Sequence, residues 1–159
     1  MKSKTLSKKE RNEIDEAVYS AYDVTIIRDS DVVRQVEYND SHIITCDGNP
    51  VFYTAGEEYI PLLVHLLRED DVFLKKIRID MGGVKPISGG ADIMIPGIVD
   101  IDDVEEDDVV TVVDETHGKP LSIARMNMDA DKVGEKSKGV AAESIHNIGD
   151  DLWEFTKKL

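Results

Sequence analysis

The sequence predicts an α+β protein in which a small mixed unit of helices and strands precedes a β-barrel or sandwich. In the first half, a stretch with helical periodicity is followed by β-rich runs and a second helical stretch. From about Arg78 onward, the apolar runs are short and separated by turn signals, as in a compact barrel or sandwich of roughly eighty residues. We therefore expect two domains, residues 1–77 and 78–159.

The first predicted element is a helix from about residue 7 to residue 21. Ser7 followed by Glu10 has the spacing of a capping box, in which each side chain accepts a backbone N–H of the other residue. Apolar residues then recur at helical intervals, at Ile14, Ala17, Val18 and Ala21.

Three β-rich runs follow this helix: "VTIIRD" at 24–29, "DVVRQVEYN" at 31–39 and "HIITCDGNPVFYT" at 42–54. In the third run, Asp47-Gly48 separates two apolar stretches, which predicts a hairpin turn. The runs therefore predict strands in the N-terminal half.

A second helix is predicted from "EEYIPLLVHLLRED". Pro61 suits the first turn of a helix, and Glu57 and Glu58 favour its positive end. Its apolar face would comprise Leu62, Leu63, Leu66 and Leu67.

In the C-terminal half, "VVTVVDETHGKPLSIARM" predicts a hairpin with "THGKP" as its connection. "MGGVKPISGGADIM" places two glycine pairs around Lys85-Pro86, consistent with a strand, a short helix, a tight turn and another strand. These glycines could shape a barrel corner, or they could expose backbone amides that bind an anion beside Lys85. The residues alone leave both interpretations open.

The composition is that of a folded protein with neither a membrane span nor a disulfide framework. The chain has 159 residues, of which 41% are hydrophobic. No segment approaches the ~18 consecutive apolar residues that span a bilayer, and the N-terminus lacks the apolar centre of a secretory signal. We therefore expect a cytoplasmic protein. The single Cys46 is expected to be a small buried residue.

The net charge of −14 restricts the partners that the chain can bind. A uniformly acidic surface repels phosphate, so a nucleic-acid surface on this chain must be a local basic patch. The acidic run "DIDDVEEDD" at 100–108 lacks a calcium-loop pattern and predicts a solvated turn.

None of the common catalytic or cofactor motifs is present. "GGVKPISGG" does not fit a phosphate loop, no G-x-G-x-x-G follows a strand, and Ser88 does not lie within G-x-S-x-G. The four histidines show no H-x-x-x-H spacing. We therefore expect no enzyme activity, no cofactor and no metal.

Two stretches resemble the two ends of the PUA domain, an RNA-binding β-barrel. The stretch "IDMGGVKPISGGADIMIPGI" fits the family pattern at Asp80, Gly82, Lys85, Gly90, Ala91, Asp92, Met94, Pro96, Gly97 and Ile98. The stretch "KGVAAESIHNIGDDLW" fits it at Lys138, Gly139, His146, Asp150 and Trp153. The resemblance extends from residue 78 to about residue 155 and implies that this half is a PUA β-barrel.

The first half resembles the small α/β domain that precedes PUA in the malignant T-cell-amplified sequence family and its archaeal relatives, through "NPVFYTAGEEYIPLLVHLL". This resemblance implies a noncatalytic RNA-binding protein of translation, with tRNA or rRNA as its partner and no role in DNA binding. The small ribosomal subunit and a density-regulated-protein-like partner are further implied.

In the PUA resemblance, RNA contacts the first short helix, the turn after it and the last strand. The corresponding residues here are Lys85, Ser88, Gly89, Gly90, Ala91, Met94, Ile98, Lys138, Gly139 and Val140. A structural role is implied for Asp80, Gly82, Asp92, Pro96, Gly97, His146, Asp150 and Trp153.

The alternative hypothesis is an adaptor of the translation machinery that has little affinity for RNA and contacts basic proteins through its acidic faces. A basic stripe beside Gly89-Gly90 would favour RNA binding, whereas an acidic or blocked groove would favour the adaptor.

Overall fold

A five-stranded antiparallel sheet forms the N-terminal half of the computed structural model, which describes residues 2–70 and 72–159. The strands lie side by side in chain order: β1 (Ser3–Thr5), β2 (Val33–Tyr38), β3 (Ser41–Cys46), β4 (Asn49–Ala55) and β5 (Glu58–Pro61). Helix α1 (Lys8–Tyr22) buries Ile14 and Val18 in a core that also contains Val33, Ile44 and Phe52. This half also contains helix α2 (Leu63–Glu69).

The predicted start of α1 and the predicted hairpin turn are both confirmed. Ser7 and Glu10 form the capping box, and the backbone N–H of Ser7 and the Lys4 ammonium lower the pKa of Glu10 to about 2. Asp47 and Gly48 both have positive φ angles, 49° and 87°, as a tight turn between β3 and β4 requires.

Two local predictions in this half are wrong. Residues 24–29 form no strand, although Ile27 is fully buried, because this segment connects α1 to the sheet as a loop that fills the core. Pro61 does not open a helix but ends β5, where it pairs with Phe52. A proline fits there because β5 is an edge strand, on which one row of N–H groups has no strand to bond.

Helix α2 therefore begins later than predicted, at Leu63, with Leu62 as its buried N-cap. Of the leucines predicted to form its apolar face, Leu63 and Leu66 are buried, whereas Leu67 is exposed. Glu57 lies in the turn before β5 and Glu58 lies within β5, so neither glutamate lies at the helix N-terminus.

The C-terminal half is a nearly closed barrel, in agreement with the predicted α+β class. Its strands lie in the order β7-β11-β10-β9-β6-β8, and only the pairing of β6 with β9 is parallel within the described residues. They are β6 (Lys76–Ile79), β7 (Ile93–Met94), β8 (Ile98–Ile101), β9 (Val109–Asp114), β10 (Pro120–Met126) and β11 (Val140–Asn147). Strand β6 thus begins just before the predicted boundary at residues 77 and 78, and that boundary stays a prediction.

The barrel closes at a corner formed by Ile95–Gly97, a single 3₁₀ turn that joins the two edge strands β7 and β8. The N–H of Ile95 donates to the carbonyl of Gly139 at 2.9 Å, and the carbonyl of Gly97 accepts from the N–H of Asp80 at 3.1 Å. The corner is therefore bonded on one side to the start of β11 and on the other side to the end of β6.

Strands β9 and β10 form the predicted hairpin, and Asp114 organises its connection. The buried carboxylate accepts the backbone N–H groups of Thr116, His117 and Lys119. Burial alone would raise the pKa of Asp114, but these hydrogen bonds hold the pKa below its ordinary value.

Three short helices complete the C-terminal half: α3 (Val84–Ser88), α4 (Ala130–Glu135) and α5 (Asp151–Lys157). Leu152 and Phe155 of α5 pack against Leu62 and against the N-terminal sheet, where the Tyr38 and Phe155 rings lie 4.6 Å apart. No helix in residues 2–70 or 72–159 is long and apolar enough to cross a bilayer.

The two halves pack together through a cluster that contains Ile60, Leu63 and Leu66 of the first half and Ile123 of the barrel. Trp153 lies half-buried against this cluster. Arg125 donates to Glu58 at 2.7 Å across the same interface. The apolar contacts therefore continue from one sheet to the other.

A buried histidine crosses this interface. The N–H of Leu63, at the start of α2, donates to Nε2 of His146 at 3.3 Å, and Nδ1 of His146 lies 2.9 Å from Asp150. This pattern places the ring proton on Nδ1. Burial would raise the pKa of Asp150, but the hydrogen bond from His146 and those from the N–H groups of Asn147 and Trp153 hold the pKa below its ordinary value.

We expect His146→Ala to lower the free energy of unfolding by about 2 to 4 kcal/mol, since it leaves a cavity and removes the acceptor of a buried N–H. Urea denaturation measures this change. His42→Ala, which alters a partly exposed histidine in β3, is the matched control and should cost less than about 1 kcal/mol. Equal effects of the two substitutions would contradict a role for His146 in joining the halves.

We expect Asp114→Asn to be less stable than the wild type by about 1 to 3 kcal/mol at neutral pH. The lowered pKa of Asp114 means that its contribution is present above the ordinary value of 3.8 and is lost as the pH falls through the pKa in the folded protein. Urea denaturation from pH 7 to pH ~3 should therefore show the gap narrowing. A gap that is constant, or equal to that of the exposed control Asp29→Asn, would contradict this account.

Candidate nucleic-acid interface

The candidate interface begins with the helix-turn-strand corner after β6. The side chain of Asp80 accepts the N–H of Gly83 at 3.1 Å and so caps the 3₁₀ turn Met81–Gly83, which leads directly into α3. A Cβ atom at Gly82 would lie 3.1 Å from the Asp80 carboxylate, so glycine relieves crowding at this cap. Helix α3 exposes Lys85 and buries Ile87 in the barrel core.

The backbone amides of the turn after α3 already have partners. The N–H of Gly89 donates to the carbonyls of Lys85 and Pro86, that of Gly90 donates to Ile87, and that of Ala91 donates to Pro86. These amides are therefore not available to an anion, and the structure does not support the anion-binding interpretation of the turn. The glycines instead shape the corner, with Gly90 at a φ of 100°.

The carbonyl oxygens of Gly89 and Gly90 differ from the N–H groups of the turn in their hydrogen bonding. Among the described residues, no donor reaches the carbonyl oxygens of Gly89 and Gly90, and both residues are exposed. The preceding carbonyl, that of Ser88, accepts from Nδ2 of Asn147 at 2.8 Å. The turn therefore presents hydrogen-bond acceptors to the outside.

Two side-chain contacts fix the turn to β11. The Nδ2 group of Asn147 donates to Ser88 and also to the carbonyl of Ile148 at 3.0 Å, which sets the orientation of its amide. The carboxylate of Asp92 accepts the N–H of Ser144 at 2.9 Å. The turn is thus held at both of its ends by the same strand.

Strand β7 brings the remaining predicted residues together. Met94, with 48% of its surface exposed, pairs with Val140 of β11. Gly139 has a φ of 125°, and its carbonyl accepts from Ile95, while Lys138 is exposed just before it. Lys85, the turn and residues 138–140 therefore flank the same short β7–β11 pair.

Ile98 is the predicted contact residue that the structure does not bring onto this exposed surface. It begins β8 on the far side of the corner, pairs with Ile79, and packs half-buried against the barrel core. Pro96 is exposed in the corner, and Gly97 bonds to Asp80 there.

The interface carries little positive charge. Lys85 and Lys138 are the cations among residues 84–94 and 138–140, and Asp92 is an anion in the same stretch. These two stretches therefore form no basic stripe by themselves, although Gly89 and Gly90 are exposed. An exposed turn with few cations is neither the basic stripe expected for RNA binding nor the acidic or blocked groove expected for the adaptor.

Sequence reasoning did not identify Asn147. Its contact with Ser88 joins residues 59 positions apart, and a single asparagine next to the histidine of a strand carries no local signal of that contact. The unpaired carbonyls also depend on the path of the backbone, which residue types alone do not reveal.

Comparison with known proteins agrees with this architecture. Residues 75–148 match the PUA domain family, and residues 4–69 match the family described as a domain of unknown function, DUF1947. Among solved structures, hypothetical protein PH0734.1 from Pyrococcus horikoshii OT3 is similar, with a TM-score of 0.86 and 30% identity, covering 98% of this chain and 99% of that one.

Three curated relatives share both regions to different extents. Uncharacterized protein MJ1432 of Methanocaldococcus jannaschii is 39% identical over 119 residues, covering 74% of this chain and 72% of that protein. Translation machinery-associated protein 20 of Schizosaccharomyces pombe is 32% identical over 125 residues, covering 70% and 69%. Malignant T-cell-amplified sequence 1 of Danio rerio is 28% identical over 117 residues, covering 71% and 65%.

The predicted resemblance is thereby confirmed for the PUA barrel and for the domain that precedes it. The chain belongs to the family of PUA-domain proteins that includes MJ1432, translation machinery-associated protein 20 and malignant T-cell-amplified sequence 1.

Proposed function

We propose that this protein is a noncatalytic RNA-binding protein of translation that binds tRNA or rRNA in the cytoplasm. The observation that carries the proposal is the exposed corner of a PUA barrel, in which Lys85, the Gly89–Ala91 turn and Lys138 flank one strand pair. The names of the relatives support a role in translation.

The geometry favours recognition of RNA shape over neutralisation of its phosphates. Glycine at positions 89 and 90 leaves no side chain between the backbone and a ligand, so sugar and base edges can approach closely. RNA helices expose their 2′-hydroxyls and base edges in a wide, shallow minor groove, which suits such a surface.

The low positive charge implies that affinity for isolated RNA is modest. Each lysine that contacts a phosphate releases counterions, and two lysines release few. The small ribosomal subunit or a density-regulated-protein-like partner would supply further contacts in a complex with RNA.

The net charge of −14 favours a second candidate function, a protein-interaction adaptor of the translation machinery. In that case, the acidic surface would contact basic proteins, and the corner would have little intrinsic affinity for RNA. Direct titration with RNA separates the two candidates.

We expect Lys85→Glu combined with Lys138→Glu to weaken tRNA binding at low salt by about tenfold or more, since these are the two cations of the proposed surface. Fluorescence anisotropy measures the affinity, and circular dichroism verifies the fold. The control is Lys9→Glu with Lys158→Glu, the same change in charge at exposed sites on α1 and next to α5. Unchanged binding by the first variant would rule out this surface.

We also expect a shallow salt dependence. With about two phosphate contacts, raising the salt from about 50 to about 200 mM should weaken binding by roughly tenfold, against 10³-fold or more for proteins with many such contacts. A titration series with tRNA at several salt concentrations gives the slope. A steep slope would indicate that the RNA binds to another, more basic surface.

A further inference from the structure

Strand β1 leaves one of its two edges without a neighbouring strand. It is the first strand in the order of the N-terminal sheet and, among the described residues, pairs with β2 alone. The carbonyl of Lys2 accepts from the N–H of Glu37 at 2.9 Å. At the other end of the strand, the N–H of Leu6 donates to the carbonyl of Val33 at 2.8 Å. The backbone groups of the even-numbered residues therefore face β2, and those of the odd-numbered residues face outward.

The outer edge of β1 is exposed and regular. Ser3 and Thr5 are exposed, and their outward N–H and C=O groups have no partner within residues 2–70 and 72–159. The register between β1 and β2 is continuous. Arg34 holds the strand from β2, since its guanidinium donates to the hydroxyl of Thr5 at 2.6 Å and to that of Ser3 at 2.7 Å. The edge thus presents two donors and two acceptors in an order that another extended backbone can match.

The surroundings of this edge are basic, although the chain carries a net charge of −14. The first eleven residues contain one acid, Glu10, and the cations Lys2, Lys4, Lys8, Lys9 and Arg11. Glu10 contacts Lys4 at 2.9 Å, but both side chains are exposed, so water screens this pair. On β2, Arg34 adds a cation and Glu37 an acid beside the strand. An acidic neighbour is therefore favoured at this edge.

Three kinds of occupant can reach an exposed strand edge, and the observations favour one of them. A second copy of β1 would pair through Ser3 and Thr5 and place Lys4 opposite Lys4, which is repulsive. RNA phosphates bring acceptors alone, so they cannot bond to the outward carbonyls. An extended acidic segment of another protein brings backbone donors, backbone acceptors and carboxylates for the lysines.

We propose that the outer edge of β1 binds an extended acidic segment of a partner protein as an additional strand. Lysines on an edge strand discourage pairing with other strands, because their charges would be placed against the newcomer. A segment that supplies carboxylates offsets this repulsion, so Lys2 and Lys4 select an acidic strand over a neutral or basic one. This interaction does not depend on the proposed RNA-binding function.

The test uses the full chain, with any affinity tag at its C-terminus, and a fluorescein-labelled peptide of seven residues that alternates glutamate with valine. One control peptide has lysine in place of glutamate. The other carries N-methyl groups on three consecutive central residues, which removes donors from both of its edges and keeps its charge. By fluorescence anisotropy at low salt, we expect the acidic peptide to bind at least about tenfold more tightly than either control.

Hydrogen exchange locates the contact. We expect the amide hydrogens of Ser3 and Thr5 to exchange at least about tenfold more slowly when the acidic peptide is bound, because they then donate to its carbonyls. Equal affinity for the methylated and unmethylated acidic peptides would overturn the proposal, since charge alone would then explain the binding. An acidic peptide that does not bind would also overturn it. Displacement of the peptide by tRNA would assign the surface to RNA and overturn the proposal.

A variant pair separates the outward N–H of Ser3 from its hydroxyl. Ser3→Pro removes the N–H, and proline is tolerated on an edge strand. We expect this variant to bind the acidic peptide at least about tenfold more weakly than the wild type. Ser3→Ala loses the hydroxyl that Arg34 contacts but keeps the N–H, and it should bind within about twofold of the wild type. Equal affinities of Ser3→Pro and the wild type would contradict the proposal.

A charge reversal keeps the test decisive if Ser3→Pro does not fold. We expect Lys2→Glu combined with Lys4→Glu to reverse the preference, so that the lysine peptide binds more tightly than the glutamate peptide. The control is Lys132→Glu with Lys136→Glu, the same change in charge at exposed positions of α4 and its C-terminal end, which should keep the wild-type preference. A preference that stays unchanged in the β1 variant would overturn the selection of an acidic partner.

Discussion

Closure of the barrel at Ile95–Gly97 is the constraint on which the rest of the C-terminal half depends. The two edge strands of the sheet follow one another in the chain, so a single turn joins them, and its ends are bonded to Gly139 and Asp80. Because Asp80 also caps the segment that leads into α3, the bond that closes the barrel also fixes the start of the helix-turn-strand corner. The position of Lys138 follows from the same closure, since it precedes Gly139.

The acidity of the chain and a role in RNA binding are compatible once the chemistry of the corner is considered. A surface that depended on salt links to phosphates would need many cations, and this one has Lys85 and Lys138. Backbone carbonyls contribute no net charge and require donors from the ligand, so they do not depend on the electrostatic sign of the whole protein. Under the proposed function, the net charge would limit the strength of RNA binding more than its specificity.

Features encoded by neighbouring residues could be predicted from the sequence, and those that depend on distant contacts could not. The capping box at Ser7, the turn at Asp47-Gly48 and the hairpin around Asp114 each depend on residues within a few positions of one another. Pro61 was assigned to a helix because its ring suits both a first helical turn and an edge strand, and only the pairing with Phe52 decides between them. The contact of Asn147 with Ser88 likewise depends on how strand β11 lies against α3.

Strand β11 contacts both the N-terminal half and the helix-turn-strand corner of the barrel. His146 and Asn147 are consecutive, and successive side chains of a strand point to opposite faces. His146 accepts the N–H of Leu63 at the start of α2, and Asn147 donates to the carbonyl of Ser88 before the glycine turn. The helix-turn-strand corner and the start of α2 are therefore attached to adjacent positions of one backbone segment. Under the proposed function, an RNA bound at the corner would therefore keep a fixed angle to the N-terminal sheet.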